Sequence, residues 1–270
     1  MDTEIIKIHP GEGPVSEEDD RKLQAAGEIL KRGGLVAFPT ETVYGLGGDA
    51  LNPTSSQKIY AAKGRPSDNP LIVHIYRFED IEKITSKVPE EAKKIADAFW
   101  PGPLTMILPK SDAVPRETTG GLDTVAIRMP SHPAAQRLIK YSGGYIAAPS
   151  ANTSGKPSPT VAKYVVEDMM GRIDAIIDGG EVGIGLESTI IDLTVTPPQI
   201  LRPGYITQEK LSEVLGIVDT DTTILRADSG QAPKAPGMKY RHYAPKGELT
   251  IVEGAPEEVR EYINRAAATD

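Results

Sequence analysis

The sequence predicts a mixed α/β fold in which helices flank a twisted mixed sheet that is open to a cleft on one side. Apolar runs of strand length alternate along the chain with segments of helical periodicity, and stretches rich in Gly and Pro separate them. This alternation is typical of helices packed on a sheet. The 270 residues, 39% hydrophobic and 25% charged, suffice to bury one large core or two modest ones.

Start and stop signals define the expected helices. The first begins after Ser16, an N-cap residue followed by acidic residues, and ends at Gly33. The second runs from Pro53 to Lys63, where Gly64 is a natural stop. Periodic apolar residues predict further helices at 89–99, 133–141, 160–170, 207–215 and 256–267.

Apolar and β-branched runs bounded by Gly, Pro or polar residues define the expected strands. These runs lie at 34–38, 71–75, 104–108, 124–129, 145–148, 173–177, 188–193 and 248–252. Trp100 precedes Pro101 between a helix and a strand, and we expect its large ring to fill the core rather than to stack on a base.

The domain organisation follows from where this pattern breaks. Residues 1–217 carry most of the alternating helices and strands and form the main domain. Residues 218–246 are polar, contain several Gly and Pro residues and are typical of a linker. Residues 247–270 hold a single β-α unit, which is too little for a domain of its own.

Composition excludes several classes of function. The chain has no cysteine, which removes disulfides, thiolate nucleophiles and Cys-ligated zinc, and its four histidines show no metal-ligand spacing. No apolar run reaches the ~18 residues of a spanning helix and no signal peptide is visible, so we expect a cytoplasmic protein without membrane contact. The net charge of −8 argues against a broad nucleic-acid footprint and favours basic residues concentrated in one cleft.

The segment AAKGRPSDNPLIVHI, residues 61–75, has the composition of an anion-binding loop. Its prolines fix two φ angles, so its polar side chains have little entropy left to lose when a phosphate or carboxylate binds. These side chains are Lys63, Arg65, Ser67 and Asn69. Taken alone, the segment is better explained as a solvated helix terminus, where the helix dipole favours cations.

A second segment, GGLVAFPTETVYGLGGDA at 33–50, shifts the interpretation towards a functional site. Here a strand runs directly into polar residues, and ligand-facing loops follow strand ends in α/β folds. Together the two segments resemble the YrdC-type domain of threonylcarbamoyl-AMP synthases. The resemblance continues in the family's order through WPGPLTMIL, TVAIRMPSHP, AAPSANTSGKPSPT, ESTIIDL, ILRPG and APGMKYRHYAP.

This resemblance extends over residues 1–246 and implies a YrdC-like open α/β fold with a cleft, in which residues 1–217 are the catalytic domain. Longer members of the family carry a second, Rossmann-like domain after this point. We therefore expect residues 247–270 to be the truncated start of such a domain.

The implied activity is that of an L-threonylcarbamoyladenylate synthase, a nucleotidyltransferase. Such an enzyme condenses L-threonine, bicarbonate or CO2 and ATP to threonylcarbamoyl-AMP and pyrophosphate. A downstream tRNA-modifying transferase complex uses the product to form threonylcarbamoyladenosine, and direct tRNA binding is compatible with this role but not required. Mg²⁺ is expected to be carried by ATP rather than bound directly by the protein.

Charge accumulates on phosphate oxygens in this chemistry, and Lys63 and Arg65 are suited to neutralise it as the catalytic residues. The chain has no GxSxG elbow and no cysteine, so a covalent enzyme intermediate has no obvious carrier. The ATP-binding residues that we expect are Lys63, Arg65, Ser67, Asn69, Thr124, Ser150, Asn152, Ser158, Arg202, Tyr240, Arg241 and His242.

Two of these assignments have structural alternatives. The loop 150–158 could be an ordinary helix-capping loop, because Ser, Asn, Gly and Pro dominate such loops. Arg202 could be a surface residue that ends a strand. An arginine between Leu201 and Pro203 is nevertheless well placed to bind phosphate with two hydrogen bonds, and the resemblance implies that role.

For threonine, Arg128 is the best candidate to bind the carboxylate, since an arginine on an apolar strand needs a partner if it is buried. It could instead face solvent or form a structural ion pair. The resemblance implies Thr40, His74, Ala148 and Ser188 as further threonine contacts. His74 alternates with apolar neighbours and could equally be a satisfied core histidine. We expect Glu41 to be structural rather than a Mg²⁺ ligand.

Both the N-carboxylated amino acid and the mixed anhydride product are labile in water, so such a site should close during turnover. We expect APGMKYRHYAP to form a lid that brings Tyr240, Arg241 and His242 to the nucleotide. Its aromatic and basic residues are unusual for a passive tether.

Two rival functions use a similar domain. The first is an RNA-binding module, which the net negative charge and the low content of aromatic residues disfavour. The second is the carbamoyl-adenylate-forming domain of hydrogenase maturation. In that family, Cys-rich zinc segments precede the domain, whereas this chain has no cysteine.

Overall fold

The computed structural model describes residues 2–9, 13–221 and 250–268. The expected lid, with Tyr240, Arg241 and His242, lies outside these residues. Of the strand expected at 248–252, the described residues 250–252 are not in a strand. None of the described helices combines the length and the apolar character that crossing a membrane requires.

The described residues form eleven strands and eight α-helices. The strands are β1 (Glu4–Lys7), β2 (Val36–Phe38), β3 (Gly45–Asp49), β4 (Ile72–His74), β5 (Leu104–Pro109), β6 (Thr124–Arg128), β7 (Ile146–Ala147), β8 (Ala175–Asp178), β9 (Thr189–Asp192), β10 (Gln199–Arg202) and β11 (Asp219–Thr220). The helices are α1 (Glu17–Lys31), α2 (Pro53–Lys63), α3 (Ile81–Ile84), α4 (Glu90–Phe99), α5 (Pro133–Tyr141), α6 (Ala162–Met169), α7 (Gln208–Leu215) and α8 (Pro256–Ala267).

All the described strands join one sheet in the order β1-β8-β2-β3-β7-β4-β6-β5-β9-β10-β11. Parallel pairs join β1 to β8, β8 to β2, β4 to β6, β5 to β9 and β10 to β11. The other neighbouring strands pair in antiparallel fashion, namely β2 with β3, β3 with β7, β7 with β4, β6 with β5 and β9 with β10. This mixed sheet with packed helices confirms the predicted fold class.

Local capping explains the bounds of the helix that leads into the anion-binding loop. Asn52 Oδ1 accepts a 3.0 Å hydrogen bond from the Thr54 amide at the start of α2. Gly64 ends the helix in the left-handed region, with φ of 61°. The predicted bounds of α2 are therefore confirmed, and Lys63 is the last residue of the helix.

Some elements differ from the sequence prediction. Strand β3 has the sequence GLGGD, whose glycines carry no strand signal, and it is fixed instead by pairing with β2 and β7. Strands β1 and β11 are short edge segments that each pair with one neighbour. The helix expected at 160–170 is shorter and begins at Ala162.

One face of the sheet carries the larger core. Helices α2, α4, α6 and α7 pack there on a cluster that includes Leu46, Val73 and Ile127. Trp100 joins this cluster, and its Nε1 donates a 2.7 Å hydrogen bond to the carbonyl oxygen of Leu104. The predicted core role of Trp100 is therefore confirmed.

The opposite face of the sheet carries two separate apolar clusters. Helices α1 and α5 pack over one part of it, on side chains such as Ile146. A smaller apolar cluster that includes Ile72 and Ile190 lies on the strands further along. His74 pairs with Ile146 across β4 and β7, so it lies on this same face because side chains alternate along a strand. The fold thus places the polar side chain of His74 on β4 beside the helical layer.

Truncating a central side chain tests this description of the core. Ile127 on β6 is fully buried, so Ile127→Ala should lower the free energy of unfolding by about 2–5 kcal/mol. Ile217→Ala is a matched control, since Ile217 is 75% exposed, and it should change stability by less than about 0.5 kcal/mol. Urea unfolding followed by circular dichroism measures both. Equal losses in the two variants would contradict the assignment.

Candidate active site

A single cleft collects most of the residues that the sequence singles out. Its lining includes ten of the predicted site residues, namely Thr40, Lys63, Arg65, His74, Arg128, Ala148, Ser150, Asn152, Ser188 and Arg202. They come from the loop after β2, the end of α2, strands β4, β6 and β10, and the loops after β7 and before β9. Segments far apart in sequence thus meet at one place.

Strand register explains why two of these side chains are neighbours. His74 on β4 pairs directly with Arg128 on β6 in the parallel ladder, and Thr105 on β5 pairs with Arg128 from the other side. Paired residues in adjacent strands point to the same face of a sheet. Three polar side chains therefore stand in a row across the sheet, among residues that are otherwise apolar.

Arg128 forms a buried ion pair. Its Nη2 donates a 2.7 Å hydrogen bond to Glu41 Oε1, and the two side chains are only 5% and 3% exposed. Glu41 Oε2 accepts a second hydrogen bond, of 3.1 Å, from the amide of Ser131. The pair fixes the direction of the guanidinium while Arg128 still lines the cleft. Both carboxylate oxygens of Glu41 thus have protein partners, and Arg128 combines the ion pair with a place at the cleft.

His74 is held as a neutral imidazole. Its Nδ1 donates a 3.1 Å hydrogen bond to the carbonyl oxygen of Ile72, and its ring packs edge-on against Phe38. Burial, followed by the nearby charge of Arg128, lowers the pKa of His74 to about 3. At neutral pH this side chain is therefore a polar but uncharged wall of the cleft.

Ser188 orients the arginine on β10. Arg202 donates two hydrogen bonds to the carbonyl oxygen of Ser188, of 3.0 Å from Nε and 2.9 Å from Nη2. Its Nη2 also lies 3.1 Å from Ser188 Oγ, which is 2.7 Å from Thr105 Oγ1. Arg202 is thus a partly buried and oriented cation rather than a surface residue at a strand end.

Lys63 is tied to the loop that follows β7. Its Nζ donates a 2.6 Å hydrogen bond to the carbonyl oxygen of Ser150 and a second bond to that of Asn152. The amide of Ser154 returns a 2.9 Å hydrogen bond to the carbonyl oxygen of Lys63. Burial, together with the charge of Arg65, lowers the pKa of Lys63 well below its usual value.

Arg65 and Asn152 shape the loops on which they lie. Arg65 donates from Nη2 to the carbonyl oxygen of Pro70 at 3.1 Å, which curls the anion-binding loop around its guanidinium. Asn152 donates from Nδ2 to the carbonyl oxygens of Thr153 and Lys156, both at 2.8 Å. These contacts order each loop in advance of any ligand.

Thr40 has a similar local role. Its hydroxyl donates a 2.7 Å hydrogen bond to the carbonyl oxygen of Val43 and accepts from the amides of Thr42 and Val43. This turn holds the loop after β2 against the cleft.

Four predicted ATP contacts lie outside the cleft lining: Ser67, Asn69, Thr124 and Ser158. The first two lie in the anion-binding loop, where Ser67 is exposed and Asn69 is buried. Thr124 starts β6, about 13 Å from Arg128 at the usual rise of a strand. Ser158 donates a 2.5 Å hydrogen bond to Glu187, which does line the cleft. The predicted contacts Tyr240, Arg241 and His242 fall outside the described residues.

Sequence reasoning missed several lining residues, above all Lys156 and Glu187. Both lie within segments that carry the family resemblance, SGKPSPT and ESTIIDL. A charged side chain in a Gly- and Pro-rich loop after a strand was the available signal. Their place at the cleft depends on loops that are distant in sequence.

The charge of the cleft differs from that of the chain. Among the described residues that line it, five are lysines or arginines (Lys63, Arg65, Arg128, Lys156 and Arg202) and one is acidic (Glu187), whereas the whole chain has a net charge of −8. A concave site with one sign of charge concentrates anions. The arrangement is therefore suited to a substrate with several negative charges.

Comparison with known proteins identifies the fold and the family. The Sua5/YciO/YrdC family model, described as telomere recombination, matches residues 28–204. A second model, described as the C-terminal domain of threonylcarbamoyl-AMP synthase, matches residues 206–269.

Individual relatives agree with these matches. The threonylcarbamoyl-AMP synthase of Pyrococcus abyssi is 54% identical over 93% of this chain and 73% of its own length. The enzyme of the same name from Bacillus subtilis is 52% identical over 91% of this chain and 70% of its own length. The crystal structure of P. abyssi Sua5 complexed with L-threonine superposes with a TM-score of 0.92 at 51% identity, covering 99% of this chain and 76% of that one. The chain therefore belongs to the Sua5/YrdC family of threonylcarbamoyl-AMP synthases.

Proposed function

We propose that this protein is an L-threonylcarbamoyladenylate synthase, a nucleotidyltransferase that joins L-threonine, bicarbonate or CO2 and ATP. The observation that carries the proposal is the cleft itself, in which an ion-paired arginine and a neutral histidine adjoin a group of further cations. The arginine and the histidine suit an amino acid, and the further cations suit a triphosphate. Mg²⁺ enters as part of the ATP substrate.

The chemistry has two bond-forming steps. The threonine amine attacks the carbon of bicarbonate or CO2, loses a proton and gives a carbamate, with release of water when bicarbonate is the donor. A carbamate oxygen then attacks the α-phosphorus of ATP, and the bond to the bridging oxygen breaks so that pyrophosphate leaves with the electron pair. Negative charge grows on the phosphate oxygens during the second step, where fixed cations are most effective.

Arg128 is the proposed partner of the threonine carboxylate. Glu41 holds one edge of the guanidinium, so the group is already oriented when threonine arrives. His74, which is neutral, and the hydroxyls of Thr40 and Ser188 are suited to the threonine hydroxyl. Ala148 offers a small apolar wall to the methyl group.

Lys63, Arg65 and Arg202 are the proposed phosphate ligands. Each is already hydrogen-bonded to main-chain carbonyls, so little side-chain entropy remains to be lost on binding. Ser150 and Asn152 lie on the same wall and complete the nucleotide site. We extend the proposal to the remaining ATP contacts expected from the sequence, Ser67, Asn69, Thr124, Ser158, Tyr240, Arg241 and His242.

The product is a mixed anhydride of a carbamate and a phosphate, which water hydrolyses readily. It should therefore pass quickly to the enzyme that consumes it, and we propose that this enzyme transfers the threonylcarbamoyl group to an adenosine of tRNA. We propose that this acceptor is a separate transferase complex, since the described cleft is sized and charged for small anions.

Pyrophosphate release tests the proposed activity directly. Purified protein with ATP, Mg²⁺ and bicarbonate should release pyrophosphate with L-threonine, and much less with valine or with no amino acid. Omitting bicarbonate from CO2-depleted buffer should abolish the release. Release that is independent of both threonine and bicarbonate would refute the synthase assignment.

Removing the amine of Lys63 should slow the chemical step. Lys63→Ala is expected to lower kcat by about 100- to 1000-fold, because one fixed donor to the developing charge is lost. Lys94→Ala is the matched control, since Lys94 is half exposed and paired with Glu90 on the surface, and it should keep full activity. If Lys63→Ala turned over at the wild-type rate, Lys63 would have no catalytic role.

Replacing Arg128 by lysine should weaken threonine binding while keeping the charge next to Glu41. A lysine cannot bond both carboxylates with a planar fork, so the Kd for threonine should rise about 10- to 100-fold in calorimetry. Arg137→Lys, at an exposed arginine of α5, should leave the Kd unchanged. An unaltered Kd in Arg128→Lys would exclude Arg128 as the carboxylate ligand.

A further inference from the structure

The buried carboxylate of Asp168, outside the cleft, is hydrogen-bonded to a loop that forms one wall of the cleft. Asp168 lies near the end of α6, is 9% exposed and is not part of the cleft lining. Its Oδ2 accepts hydrogen bonds from the amide and the hydroxyl of Thr153, at 2.9 and 3.1 Å. Its Oδ1 accepts a 2.5 Å bond from Lys156 Nζ. One carboxylate thus accepts hydrogen bonds from two residues of the loop 152–156, Thr153 and Lys156.

The loop 152–156 is also hydrogen-bonded to Lys63. Asn152, the first residue of the loop, donates to the carbonyl oxygens of Thr153 and Lys156, which closes the loop into a compact unit. Lys63 donates to the carbonyl oxygen of Asn152 and accepts from the amide of Ser154 through its own carbonyl. A continuous chain of hydrogen bonds therefore connects Asp168 to the Lys63 amine.

Asp168 also acts on Lys63 through its charge. Burial and the charge of Arg65 lower the pKa of Lys63, and the negative charge of Asp168 opposes them and raises it. Asp168 itself has a lowered pKa, because the hydrogen bonds from Lys156 and Thr153 outweigh the effect of its burial, so it is ionised at neutral pH. The charged groups that act on Lys63 are thus Arg65 and Asp168, with Lys156 paired to the latter.

We infer that Asp168 is a positioning residue for the reaction: it fixes the loop 152–156 so that Lys63 meets the phosphates of ATP in the right place and as a cation. This inference rests on the proposed role of Lys63 in phosphate binding. Because Asp168 lies outside the cleft lining, it acts in this proposal through the loop and through its charge rather than by contact with the substrate. The threonine subsite around Arg128 and Glu41 has its own support and does not depend on Asp168.

Asp168→Asn is the informative variant, because it keeps the shape of the side chain and removes its charge. We expect kcat to fall about 10- to 100-fold through misplacement of Lys63, with the KM for threonine within about twofold of wild type. Cationic Lys63 is required, so activity is lost as pH rises through its pKa. Without the carboxylate charge that pKa is lower, and the alkaline limb of the kcat profile should move to lower pH.

Asp192→Asn is the matched control. Asp192 is also buried, lies outside the cleft lining and accepts from the amide and hydroxyl of one threonine, Thr194, at 2.9 and 2.6 Å, but this threonine follows β9 and is not part of the loop 152–156. Asp192→Asn should alter stability without moving the alkaline limb of the kcat profile. Asp168→Glu, which restores the charge, should recover the wild-type position of that limb. A merely structural Asp168 would give a destabilised protein whose folded fraction keeps the wild-type kcat and pH profile, and that result would overturn the inference.

A second measurement separates this inference from the proposed function. The pKa of Lys63 is measured by NMR on protein labelled with ¹³C-lysine, with Lys63→Arg used for assignment. It should be lower in Asp168→Asn than in wild type and unchanged in Asp192→Asn. An equal pKa in Asp168→Asn and wild type would refute the link between Asp168 and Lys63, whether or not the protein releases pyrophosphate. Threonine-independent turnover would instead refute the synthase assignment alone.

Discussion

The buried pair of Arg128 and Glu41 is the interaction on which the cleft depends. It joins the loop after β2 to strand β6, two elements that the sheet places several strands apart. A buried ion pair adds little net stability over apolar packing, yet losing one partner leaves an uncompensated charge that costs about 3–5 kcal/mol. Such a pair is therefore better explained by the direction it gives to a guanidinium than by its contribution to folding.

The same loop organises the far wall of the cleft. The main-chain amides of Ile184 and Gly185 donate to the carbonyl oxygens of Glu41 and Thr42, at 2.8 and 3.0 Å. These bonds fix the approach to Ser188, which in turn orients Arg202. One short segment after β2 thus holds Arg128, the proposed threonine ligand, and also contacts the loop that leads to Arg202, a proposed phosphate ligand. Three consecutive residues of this segment, Thr40, Glu41 and Thr42, are buried.

Sequence reasoning succeeded where the signal is local. The cap at Asn52 and the stop at Gly64 define α2, and the structure has both. Strand β3 could not be predicted, because its glycines are held by pairing partners distant in sequence. For the same reason Lys156 and Glu187 were not expected at the cleft, although the family motifs located most of its other charged residues. For His74, the two alternatives proved compatible, since it is buried and also lines the cleft.

The partners of Lys63 carry a consequence for how this site can vary. Its amine bonds main-chain carbonyls at Ser150 and Asn152, and these oxygens are present whatever side chains the loop bears. Related enzymes could therefore exchange residues along this stretch and keep the lysine in place, except at Asn152, Thr153 and Lys156, whose side chains fix the turn. Inserting or deleting a single residue would rotate those oxygens away. At its other positions, this stretch should tolerate substitutions better than a change in length.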